Sequence, residues 1–156
     1  MNREKSKAHQ TCIIGYGNPF RRDDGIGAFV AKRLRSMLDQ GNRILTFHQL
    51  DPVALDEVQD CDLVVFVDAT VEKSAKGMQW RRVHPERSGF AHTTHHFKPS
   101  VLMSLLSSLH QRTPEAWLVS VQGDDFGHGE GLSEEARSRA VRACREIAGF
   151  VTAKTG

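Results

Sequence analysis

Residues 13–27, IIGYGNPFRRDDGIG, constrain the fold more than any other stretch of the chain. A short apolar run ends at Gly15, a turn containing Gly17 and Asn18 follows, and Asp23 and Asp24 stand where an amphipathic helix begins. A strand, a loop and a helix start packed this closely are the opening unit of an α/β protein. They carry charged side chains beyond the carboxyl end of a strand, where open α/β sheets bind their ligands.

Two familiar nucleotide-binding turns fail on the same residues. A dinucleotide fingerprint needs its third glycine where Phe20 stands, and a P-loop needs Lys and Ser or Thr where Asp23 and Asp24 stand. The free N–H groups of a helix N-terminus attract anions. Two carboxylates already meet that demand and would repel a phosphate, so the turn suits a cation or a polar group. No nucleotide is expected.

The rest of the chain repeats the strand and helix alternation. Residues 11–16 and 62–70 (DLVVFVDAT) are continuous apolar runs of the kind that form strands buried on both faces, and the second is the best central strand. Residues 26–40 place Ile26, Phe29, Val30, Leu34, Met37 and Leu38 on one helical stripe, closed by Gly41. A strand over residues 43–50 leads to a short helix opened by Asp51 and Pro52. A strand over 78–84 carries Arg81 and Arg82, which suits a sheet edge. Pro99 starts a helix to about His110, and residues 116–121 form the last strand. The loop 122–131 contains four glycines and reads as mobile. Ser133 caps a final helix whose stripe is Ala140, Val141, Cys144, Ile147, Ala148 and Val151. The expected fold is a three-layer α/β sandwich with a mainly parallel, twisted central sheet and helices on both faces. One domain over residues 11–153 follows a disordered tail, residues 1–10.

With 156 residues the chain can bury a real core, and a net charge of +2 gives no case for nucleic acid. Cys12, Cys61 and Cys144 are widely spaced on or beside apolar runs, which points to buried free thiols in a reducing compartment. No secretory signal and no membrane span is read, so a cytoplasmic protein is expected.

Three side chains from separate segments can converge: Asp24 after the first strand, Asp68 at the end of the central strand, and His95 ahead of a helix. Two carboxylates and an imidazole can hold a divalent metal and leave positions open. Each also has another reading: Asp24 as a helix cap, Asp68 as a turn residue, His95 as a surface histidine. There is no HExxH, no GxSxG elbow and no cysteine with an activating neighbour, so no nucleophile is evident.

Four motifs, GNPFRRDDGIG, VVFVDA, TTHH and GHGEGLS, occur in an order and spacing that resembles the hydrogenase maturation endopeptidases. The resemblance covers nearly the whole chain. It implies an endopeptidase that removes the C-terminal extension of a nickel-iron hydrogenase large subunit after nickel insertion. It implies that Asp24, Asp68 and His95 contact the metal, that the metal is nickel supplied by the substrate, and that the partner is the large-subunit precursor. A monomer is expected. The competing class is a nickel-sensing or chaperone protein that engages the large subunit without cutting it, which the lack of a nucleophile would suit.

Overall fold

In the computed structural model, residues 8–86 and 97–155 are described. The apolar runs become the sheet. Strands β1 (Thr11–Tyr16), β2 (Arg43–Phe47), β3 (Leu63–Thr70), β4 (Met78–Arg82) and β5 (Glu115–Gln122) form one five-stranded sheet in the order β2-β1-β3-β5-β4. All neighbours pair in parallel except β4, which runs antiparallel to β5 at the edge.

Helices α1 (Ile26–Met37), α2 (Ala54–Val58), α3 (Pro99–His110) and α4 (Glu134–Thr155) cover the two faces. The pleat sorts side chains to alternate sides. Ile13, Val65, Val67, Val119 and Val121 pack with α1 and α4, while Cys12, Ile14, Val64, Phe66 and Ala116 pack with α2 and α3. Leu63 to Val67 are wholly buried, which is why that run carries no polar residue. At about 1.5–3 kcal/mol for each large apolar side chain buried, this one strand anchors both cores. Among the described residues no helix is long and apolar enough to cross a membrane.

Several boundaries differ from the sequence reading. Helix α1 stops at Met37 because Leu38 turns to extended backbone and packs its side chain against the α1/α4 core. Gly41 is therefore no cap, and Met37 is exposed rather than part of the buried stripe. Strand β2 ends at Phe47, although Leu50 is buried under the loop that follows. The Asp51 side chain accepts the N–H of Val53 at 2.8 Å, and α2 begins only at Ala54. Strand β4 ends at Arg82, two residues short of His84. The three cysteines are free and buried.

The order reverses at β1: the chain passes from β1 out to β2, then returns to β3 on the other side. That leaves a crevice over the carboxyl ends of β1 and β3. Helix α1 lies hard against this point. A Cβ on Gly27 would sit 2.5 Å from the Tyr16 carbonyl oxygen and 2.8 Å from that of Val67, and one on Gly15 would sit 2.0 Å from the Gly27 carbonyl oxygen. The close helix-to-strand approach that a dinucleotide fingerprint obtains from its third glycine is thus supplied by Gly15 and Gly27.

Candidate functional site

The turn after β1 enters the crevice through Gly17, whose φ of +137° is open to glycine and strained for other residues. A single 3-10 turn, Arg22–Gly25, then leads into α1. It delivers Asp24 half-buried at the crevice, where one carboxylate oxygen accepts the Asn18 N–H at 2.8 Å. Asp68 arrives from β3. It lies one step beyond Val67 in the strand and so takes the α2/α3 side, the side of Tyr16.

Asp24 and Asp68 line one open cleft of about 590 Å³ with Tyr16, Arg21, His48 and Lys98. Burial pushes the Asp68 carboxyl up to about 7, and the charge of Asp24 pushes the same way. The Ala69 N–H and the Tyr16 hydroxyl oppose that rise by donating to the carboxylate. Burial, followed by the Asp68 charge, raises the Tyr16 phenol above its usual range. A cation in the cleft would offset the Asp24 charge that raises the Asp68 carboxyl.

His95 lies outside the described residues. Among the described residues, no group of three or more His, Cys, Asp or Glu is placed to share an ion. Asp24 and Asp68 are therefore brought to one cleft, and His48 on its wall does not complete a metal set with them. His48 and Tyr16 were not singled out from sequence. Both follow from topology, because each stands at the carboxyl end of a strand adjoining the reversal point. No serine, threonine or cysteine is among the described residues lining the cleft. Cys12 and Cys61 sit below it, on the α2/α3 side near the opposite end of the sheet.

Asp23, next to Asp24, has a different position and is fully buried. One oxygen accepts N–H groups from Asp124 at 2.8 Å and Asp125 at 2.9 Å and the Ser133 hydroxyl at 2.7 Å. The other accepts the Ser133 N–H at 2.7 Å. Burial alone would raise this carboxyl, but these hydrogen bonds outweigh it and hold the pKa below the usual carboxylate value. The glycine-rich loop expected to be mobile is thus tied to the first turn. The Arg22 N–H bonds the Gly129 carbonyl and the Gly129 N–H bonds the Phe20 carbonyl, both at 2.9 Å. Ser133 spends its hydroxyl on Asp23, and its bond from the Ala136 N–H, the capping bond, is long at 3.4 Å.

This architecture is that of the hydrogenase maturation proteases, which are peptidase hydrolases, and the resemblance read in the sequence has its structural counterpart. The [NiFe] hydrogenase maturation protease HycI from Thermococcus kodakarensis KOD1 superposes with a TM-score of 0.74 at 27% identity, over 94% of this chain and 95% of its own. The hydrogenase maturating endopeptidase HybD from E. coli gives 0.74 at 18% identity, over 93% of each chain. A hydrogenase 3 maturation protease gives 0.66 at 20% identity, over 92% of each. At such identities the latter two speak for the fold alone. No protein-family model and no curated protein matches the chain.

Proposed function

We propose that this chain is an endopeptidase that removes the C-terminal extension from the large-subunit precursor of a nickel-iron hydrogenase after nickel has been inserted. The observation that carries this reading is the meeting of Asp24 and Asp68 in one cleft at the sheet's reversal point. It is supported by an architecture shared with HycI over 94% of the chain.

Asp24 and Asp68, with His95, would hold the nickel that the precursor carries. Oxygen and imidazole donors suit a borderline divalent ion, and a site without thiolates can release it afterwards. Bound there, the ion would polarise the scissile carbonyl, mark the loaded substrate, or do both. The chain's own residues have narrower tasks. Tyr16 orients the Asp68 carboxylate by hydrogen bonding, and the Asn18 N–H orients that of Asp24. Water is the natural attacking group, since no serine, threonine or cysteine is among the described lining of the cleft. The protein would act in the cytoplasm, as a monomer.

The lack of a serine, threonine or cysteine among those described residues favours a second reading, a nickel-sensing chaperone that binds the large subunit without cutting it. One experiment decides. Large-subunit precursor is prepared without nickel and after nickel loading, incubated with the protein, and weighed by mass spectrometry. Loss of the C-terminal extension from the loaded precursor alone is expected. Equal processing of both would refute the nickel requirement, and binding without any cut would leave the chaperone.

A further inference from the structure

The turn that carries Asp24 into the cleft has a second side. Asn18, Arg21 and Asp24 line the cleft, whereas Pro19, Arg22 and Gly25 line a separate cavity of about 270 Å³. This alternation by threes agrees with the 3-10 geometry at Arg22–Gly25, where residues three apart eclipse. The turn is therefore a wall shared by two cavities.

The second cavity has apolar ground from Ala28, Phe29 and Leu132, and a rim of Arg22, Lys32 and Arg137. The Arg137 guanidinium lies 5.6 Å from the centre of the Phe29 ring. No carboxylate is among its described lining residues, and Glu134, one turn before Arg137, lines the neighbouring groove along α4. Among the described residues the Arg22 guanidinium donates to the Glu130 carbonyl, at 3.4 Å. Among the described residues, none of the three cations has an ion-pair partner. Three cations on the rim of one apolar cavity suit an anionic group.

We propose that this cavity docks a segment of the protein substrate in which an apolar side chain stands beside a carboxylate. The proposal rests on the protease reading above. The apolar floor would take the side chain and the cationic rim the carboxylate, so charge and shape select the same segment. A polypeptide is favoured because the cavity shares a wall with the cleft. A chain lying in the cleft needs only to cross the turn to reach it. Phe20, 56% exposed and with its ring 6.2 Å from that of His48, offers apolar ground beside that crossing. Tethered in this way, the second contact forms at high effective concentration.

The test uses nickel-loaded large-subunit precursor and three proteins: the wild type, Lys32→Glu, and Lys32→Glu with Arg137→Gln. Cleavage rate is measured against precursor concentration, at low salt and near 0.5 M NaCl. The half-saturating concentration should rise about tenfold in the double variant at low salt, with the maximal rate retained. The difference should shrink at high salt, where exposed charges are screened. An unchanged half-saturating concentration in a folded double variant overturns the proposal, as does a lower maximal rate at unchanged half-saturation. Lys32 is exposed on α1, so the single variant decides if the double one fails to fold. If the wild type cuts nothing, the protease reading has failed on its own account. Direct binding of the same precursor then decides the docking: equal affinity in wild type and variant overturns it, and weaker binding in the variant supports it.

Discussion

Replacing Asp23 with alanine should cost far more than loss of an ordinary helix cap. A cap costs about 1 kcal/mol. Asp23 instead serves four donors on the β5–α4 loop and at Ser133, at 2.7 to 2.9 Å, from a fully buried position. The bonds are charge-assisted, and a donor left buried without an acceptor costs about 1–3 kcal/mol. Asp124 and Asp125 are exposed, so their N–H groups can turn to water, whereas Ser133 is half-buried and presents two donors. The sum comes to about 3–5 kcal/mol. For a chain of this size that lowers the melting temperature by about 10 °C. A melt within about 2 °C of wild type at pH 7 would refute the latch.

The pH dependence gives an independent check. The folded pKa of Asp23 is lowered, so its contribution to stability is complete above the unfolded carboxylate value of about 3.9. It is lost as the pH falls through the lower folded value. Asp23→Asn keeps the shape but turns amide hydrogens toward donors. Its stability deficit in chemical denaturation should be full at pH 7 and narrow below about pH 4. A deficit of constant size down to pH 2 would show that the carboxylate charge is not what holds the loop.

Two further substitutions separate site from scaffold. Asp24→Asn retains an acceptor for the Asn18 N–H, so cleavage of loaded precursor should be abolished while the melting temperature changes little; normal cleavage would remove Asp24 from the site. Gly27→Ala sets a methyl group against two carbonyl oxygens that cannot yield, and should lower the melting temperature steeply or leave the protein insoluble. Gly41→Ala, with nothing within 4 Å of the new atom, should melt as wild type, and a similar loss in both would refute the close-packing argument.

What the sequence disclosed follows a physical line. Leu63 to Val67 and Cys12 to Ile14 are apolar without interruption because both faces of those strands are covered, so the strands and the three layers could be read directly. Element ends depend on tertiary contacts and were misplaced. Leu38 leaves the helix to reach the core, although Gly41 offered the better local stop signal. The 122–131 loop misled in the same way. Its glycines suggested freedom, but the chain uses them to bring this loop against the first turn. At Gly129 an added Cβ would meet the Arg22 side chain at 2.7 Å, and at Gly123 one would meet the Asp23 Cβ at 2.7 Å. The partner of each glycine lies some hundred residues away in the chain, and no local pattern carries that information.

The pair Asp23 and Asp24 shows how far local chemistry can still be pushed. Adjacent residues of a 3-10 turn point about 120° apart, so two neighbouring carboxylates cannot serve one site. Which of them is structural is settled by burial and by the donors each one meets. A carboxylate offers about four lone-pair positions. Asp23 is fully buried and accepts three N–H groups and a hydroxyl, three of the four on one oxygen, all from the β5–α4 loop and Ser133 rather than from the cleft. Asp24 accepts a single N–H and faces the cleft, and Asp68 accepts from the Ala69 N–H and the Tyr16 hydroxyl. The acceptor positions that face the cleft therefore belong to Asp24 and Asp68. The buried Asp23 fixes the turn on which Asp24 is carried.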